Sequence, residues 1–129
     1  MGSDKATKII NNVPGVSIRC TEEAVEVYFL KSLNYYEWHE IEEYIQKMMN
    51  TGSTHFIFHL QRLDRFTSFD IGMWITLHTK ITNHPGALEF YIGHNAAVLD
   101  FMKLSKLNRV FSITSEDPAG NISENPRTS

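Results

Sequence analysis

In the segment Phe66-Thr67-Ser68-Phe69-Asp70-Ile71-Gly72, two hydroxyls and a carboxylate stand together where an apolar run gives way to a helical pattern. The first turn of a helix has unpaired amides and the positive end of the macrodipole, so an anion is favoured there. The chemistry such a serine supports is phosphorylation, with those amides stabilising the added phosphate. The same residues also suit helix capping, since an acid, Asp70, follows Thr67 by three positions. On residue types alone, capping by Thr67 or Ser68 is the stronger reading.

Other chemistries lack their residue patterns. Of the histidines His39, His55, His59, His78, His84 and His94, only His55 and His59 share a short apolar segment. On a strand these two would be about 13 Å apart, at about 3.3 Å per residue, too far to share an ion. The expectation is therefore no metal. Cys20 is the single cysteine, which excludes an internal disulfide and any CxxC motif. No serine or cysteine stands beside a base at usable spacing, and neither paired carboxylates nor a glycine-rich phosphate loop is present. These readings point to a binding protein without cofactor or catalysis.

Twelve basic and fifteen acidic residues give a net charge of −3, with no overall footprint for a phosphate backbone, so no nucleic acid is expected. No apolar run approaches the roughly 20 residues that span a bilayer, and the opening MGSDKATK lacks the apolar stretch of a signal peptide. A cytoplasmic protein that does not contact membrane is expected.

The elements that must position Ser68 follow from periodicity. Residues 16–20 and 24–30 alternate and are joined by Thr21-Glu22-Glu23, which reads as an antiparallel pair. Asn34 with Glu37 forms a capping-box start. The helix it opens, residues 35–50, carries Trp38, Ile41, Tyr44, Ile45, Met48 and Met49 on one face. After Thr51-Gly52-Ser53 comes a central strand at 54–60, rich in aromatic and β-branched residues. A second helix begins near Thr67 and stops at Asn83-His84-Pro85-Gly86. A strand at 87–92, a short helix at 96–104 and a last strand at 109–113 complete the pattern β-β-α-β-α-β-α-β. Single helices between strands imply right-handed parallel crossovers, hence one mixed sheet with helices mainly on one face. The chain's 129 residues suit one such domain. The first dozen residues read as loose as the C-terminal segment, with Ile9, Ile10 and Val13 able to lie along a sheet edge.

This order, together with residues 56–113, resembles the STAS family, typified by stand-alone bacterial anti-sigma factor antagonists. In that family a Phe/Ile-Asp-Ser-Ser-Gly-Leu-Gly signature opens the second helix, and here Phe66-Thr67-Ser68-Phe69-Asp70-Ile71-Gly72 occupies it. Gly86-Ala87-Leu88-Glu89-Phe90-Tyr91-Ile92 is similar to the following family strand, and Val98-Leu99-Asp100-Phe101-Met102-Lys103-Leu104-Ser105-Lys106-Leu107-Asn108-Arg109-Val110-Phe111 to its ending. Leu33-Asn34 stands in place of a Leu-Asp pair beside the phosphorylation loop. The resemblance implies a phosphorylation-controlled protein-binding switch. Its partners would be an anti-sigma-type serine kinase and a PP2C-type phosphatase, and a homodimer is left open. The first signature serine falls on Ser68, and the partner surface on Asn34, Thr67, Ser68, Phe69, Asp70 and Gly72. In place of the signature's aspartate, second serine and first glycine this chain has Thr67, Phe69 and Asp70. Asp70 then puts a fixed negative charge where phosphate arrives. A non-phosphorylated ligand-sensing or scaffold module of the same fold is the alternative.

The domain is expected to span residues 1–114. Residues 115–129 hold two prolines, a glycine and only isolated apolar side chains, the composition of a disordered tail. Deleting residues 116–129 should leave the melting temperature almost unchanged, as a thermal scan of the truncated protein would show. A drop of many degrees would mean that the segment is packed.

Overall fold

The structure is a computed structural model that describes residues 4–9 and 13–116. Nearly all of the expected tail lies outside the described residues. The elements are β1 (Asp4–Ile9), β2 (Val16–Thr21), β3 (Val25–Phe29), α1 (Tyr35–Asn50), β4 (His55–His59), α2 (Ser68–Asn83), β5 (Ala87–Gly93), α3 (Ala96–Leu104) and β6 (Ser112–Ser115), with a 3-10 turn at Leu107–Arg109. They form one six-stranded sheet in sequential order, β1 to β6. β1, β2 and β3 pair antiparallel, while β3 to β6 pair in parallel.

The register explains which face is buried. Ile18, Val27, Phe58, Phe90 and Ile113 are mutual partners across five strands, and all are buried. Trp38, Ile41 and Ile45 of α1, Trp74, Leu77 and Ile81 of α2, and Val98 and Met102 of α3 join the same core. Because every parallel crossover advances to the next strand with the same hand, the three helices gather on one face. The neighbouring row, Ser17, Tyr28, His59 and Tyr91, points to the other face and is only partly covered.

The expected strands and helices are all present, with two adjustments of extent. β1 adds an edge strand that carries no strong alternation of its own, because its stability comes from main-chain pairing to β2. At the other end, Arg109 closes a 3-10 turn instead of opening the strand expected at 109–113, so the last strand starts at Ser112. It continues through buried Ser115, one residue past the boundary expected at 114, and the Glu116 N–H donates to Gly93 O at 2.9 Å.

Phe58 is the centre of an aromatic cluster, with ring centroids 5.1 Å from Phe29, 5.7 Å from Phe90 and 6.5 Å from Trp38. It is fully buried on the central strand β4. Phe58→Ala should therefore destabilise the protein by about 3–5 kcal/mol. Urea denaturation followed by tryptophan fluorescence would measure it, and a loss below about 1 kcal/mol would mean that the core is not closed around this ring.

Candidate functional site

The start of α2 assigns different tasks to its two hydroxyls. Thr67 is the N-cap: its Oγ1 accepts from the Asp70 N–H at 3.2 Å, and the Asp70 carboxylate accepts from the Thr67 N–H at 2.8 Å. This reciprocal box satisfies the cap without Ser68. Ser68 is thereby left as the first helical residue, exposed, with no hydrogen-bond partner for its hydroxyl among the described residues. Its own amide and that of Phe69 are also unpaired among the described residues, as expected for the first turn.

Asp70 is a correction to the sequence reading. It does not present charge to a partner, because it is only 2% exposed. One carboxylate oxygen accepts from the Leu33 N–H at 3.1 Å and the Trp38 Nε1–H at 2.8 Å. The other accepts from the Ser32 hydroxyl, the Thr67 N–H at 2.8 Å and the Thr67 hydroxyl at 3.1 Å. Burial by itself raises the carboxyl pKa, but hydrogen bonds from Ser32, Trp38, Thr67 and Leu33 outweigh it and hold the group below the ordinary aspartate value. Aspartate here, rather than the glycine of the family signature, is a structural clamp.

That clamp ties the β3–α1 loop and α1 to the start of α2, and so juxtaposes two helix N-termini. At the first, Asn34 caps α1, its Oδ1 accepting from the Glu37 N–H at 2.9 Å while its own N–H donates to Glu37 Oε1 at 2.9 Å. Beside it Tyr35 and Tyr36 are 63% and 76% exposed, and Phe69 of α2 is 41% exposed. The Tyr35 ring is 5.3 Å from Tyr36 and 6.2 Å from Phe69, making a continuous aromatic patch next to Ser68. One turn along α2 from Ser68 stands Gly72, exposed and with open space where a Cβ would be, followed on the same face by Ile75, 42% exposed.

Asn34, Thr67, Ser68, Phe69 and Gly72 thus share one exposed surface, from which only Asp70 is withdrawn. Tyr35, Tyr36, Ile75 and Ser32 were not foreseen. The two tyrosines had a usable signal, since they fall off the Trp38-Ile41-Ile45 stripe at the start of a helix. Ser32 had none, because only the fold brings it to Asp70.

Comparison with solved structures places this geometry. A Thermotoga maritima protein assigned as an anti-sigma factor antagonist matches with a TM-score of 0.65 and 18% identity, covering 79% of this chain and 86% of that one. An NMR structure of the same protein, TM1081, matches with a TM-score of 0.70 and 21% identity, over 89% and 90% of the two chains. The anti-sigma factor antagonist SpoIIAA in its unphosphorylated form gives 0.65 and 16%, over 81% and 90%. The fold is STAS-like. No family model matches the sequence, and neither does any curated protein. At these identities the likeness concerns the STAS-like architecture, in which Ser68 stands at the start of the second helix.

The folded pKa of Asp70 lies below its unfolded value, so its contribution to stability is present above about pH 4 and is lost as pH falls through the depressed value. Asp70→Asn swaps an acceptor oxygen for an amide that faces donors, and should cost about 3 kcal/mol or more at neutral pH. It should also flatten the acid limb of stability against pH. Chemical denaturation across the acid range would measure both, and a variant with wild-type stability and acid limb would remove the clamp from this account.

Proposed function

We propose that the protein is an anti-sigma factor antagonist-like switch that binds a regulatory protein and is itself no enzyme. Its docking surface is the paired start of α1 and α2: Asn34, Tyr35, Tyr36, Phe69, Gly72 and Ile75 around Ser68. The fold of the solved antagonists supports the general kind. The observation that carries the reading is the division of labour at the start of α2. Thr67 caps and Asp70 clamps, which leaves the Ser68 hydroxyl exposed at a helix N-terminus.

The partner in this reading is an anti-sigma-type serine kinase, and a PP2C-type phosphatase resets the switch. Phosphate on Ser68 brings about −1.5 to −2 charges and three acceptor oxygens. The unpaired first-turn amides and the helix dipole stabilise it on the free protein. On the complex it has the opposite effect, because the oxygens would have to be desolvated against the Tyr35-Tyr36-Phe69 patch. Asp70 makes no direct contact with the partner in this reading, since that carboxylate is buried and met by its donors.

Incubation with ATP and an anti-sigma-type serine kinase, followed by mass spectrometry, should place one phosphate on Ser68. Ser68→Ala should bind that kinase constitutively, and Ser68→Asp should bind it more weakly by about 1–3 kcal/mol, with unchanged circular dichroism. Tight binding by Ser68→Asp together with lost binding by Ser68→Ala would make the hydroxyl a contact and end the switch reading. Gly72→Ala separates binding from folding. An exposed helical glycine costs up to about 1 kcal/mol relative to alanine, so the variant should be more stable while the added methyl weakens a close-docking partner. Unchanged affinity would place the interface elsewhere.

A further inference from the structure

Between the end of α3 and the start of β6 the chain makes a tight corner whose charge is opposite in sign to that of the whole. Main-chain hydrogen bonds close it: the Ser105 N–H donates to Phe101 O at 2.9 Å, the Lys106 N–H to Lys103 O at 3.2 Å and the Arg109 N–H to Lys106 O at 3.1 Å. A bond that spans three residues holds their Cα atoms within about 7 Å, so Lys103, Lys106 and Arg109 stand on two successive turns. All three are exposed, and none has an ion pair among the described residues. Asp100, one turn earlier on α3, is the acid nearest in sequence. Residues 100–110 thus hold three cations and one carboxylate, in a chain whose net charge is −3.

Two apolar side chains project beside these cations. Met102 and Phe111 are buried and anchor the corner in the core, against which Leu107 also packs. Leu104 and Val110 are instead 84% and 57% exposed. At 84% exposure Leu104 touches almost nothing of its own domain, so it stands out from the surface. Lys106 adds a second anomaly. Its backbone lies in the left-handed region at φ 64° and ψ 18°, the one non-glycine residue with positive φ among the described residues. A glycine would adopt this conformation without the crowding of a Cβ, so the turn by itself gives no reason for a lysine. Strained residues of this kind cluster at functional sites.

We infer that this corner is a peripheral docking site for an anionic membrane surface, with Lys103, Lys106 and Arg109 on lipid phosphates and Leu104 and Val110 entering the headgroup region. A bilayer accepts single projecting apolar side chains without a pocket or a fixed register, and its negative surface attracts clustered cations. An acidic protein segment would be anchored best by side chains seated in pockets, whereas Leu104 projects. A nucleic acid would be met by aromatic faces for its bases, and residues 103–110 hold no aromatic residue. Contact of this kind needs no spanning segment, and no described helix is long and apolar enough to be one. It departs from the absence of membrane contact expected from the sequence, which concerned spanning and export segments. Parallel crossovers put the helix N-termini at one end of the sheet and the helix C-termini at the other, so the docked domain turns its Ser68 surface away from the bilayer. The site does not depend on the phosphorylation reading.

Co-sedimentation of the full-length protein with vesicles of phosphatidylglycerol and phosphatidylcholine in equal parts, against phosphatidylcholine alone, tests the inference. The protein should pellet with the anionic vesicles only, and salt that shortens the Debye length to about 3 Å should release it. Lys106→Gly relieves the backbone and removes one charge, so it should keep wild-type stability in a thermal scan yet bind the anionic vesicles about fivefold more weakly. Lys103→Gln and Arg109→Gln should each cost about the same factor. Leu104→Ser leaves the charge untouched and should weaken binding about threefold or more. Lys31→Gln removes the same charge at the Ser68 end of the domain and should leave binding unchanged. All these side chains are exposed, and matching circular dichroism would show that the variants fold. Equal pelleting with both kinds of vesicle, undiminished binding by Leu104→Ser, or a loss from Lys31→Gln equal to that from Lys106→Gly would each overturn the inference. So would a failure to pellet with anionic vesicles, which would leave the corner to an acidic protein partner.

Discussion

A single buried carboxylate organises the paired starts of α1 and α2. Asp70 has no cation beside it among the described residues, and an unpaired buried charge would be expelled or neutralised. It persists because donors from three separate stretches of chain converge on it: Ser32 and Leu33 from the β3–α1 loop, Trp38 from α1, and Thr67 from the cap of α2. The positive end of α2 adds to the same effect. A charge satisfied by fixed dipoles is demanding about geometry, since each donor withdrawn leaves it poorer. The two helix starts are therefore held in a definite relation, and Tyr35 meets Phe69 beside Ser68.

The sheet is asymmetric for a simpler reason. Sequential strand order with parallel crossovers of one hand places every helix on the same side, so one row of strand residues builds the core and the next remains open. The core row is apolar and aromatic. The open row is polar and aromatic, Ser17, Tyr28, His59 and Tyr91; Tyr28 and His59 bond to Glu26, Tyr91 bonds to Glu116, and the Tyr28 and His59 rings stack. An open sheet face of this kind is stable without a covering layer because its groups are hydrated or paired.

Much of this was legible in the sequence, for identifiable reasons. Helical spacing of Trp38, Ile41 and Ile45, alternation at Val25, Val27 and Phe29, and the caps at Asn34 and Thr67 are local signals, and each element they imply is present. Strand β1 was hardly legible, because an edge strand is held by backbone pairing to a neighbour and leaves a weak side-chain pattern. The last strand was read as starting at Arg109, because Val110 and Phe111 imitate an extended run, whereas it starts at Ser112.

The candidate site divides along the same line. Residue order alone determined that a serine stands at a helix start and that a hydroxyl and an acid three residues apart can form a cap, since both are relations along the chain. That Asp70 is withdrawn from the surface was decided only when the β3–α1 loop and α1 closed on it. The acid looked like surface charge in sequence because its principal donors, Ser32, Leu33 and Trp38, lie more than thirty positions away. The pairing of His59 with Glu26 is likewise a product of strand register. Periodicity reports which face of an element is buried, whereas hydrogen bonds between distant segments exist only after the chain has been folded to bring them within about 3 Å.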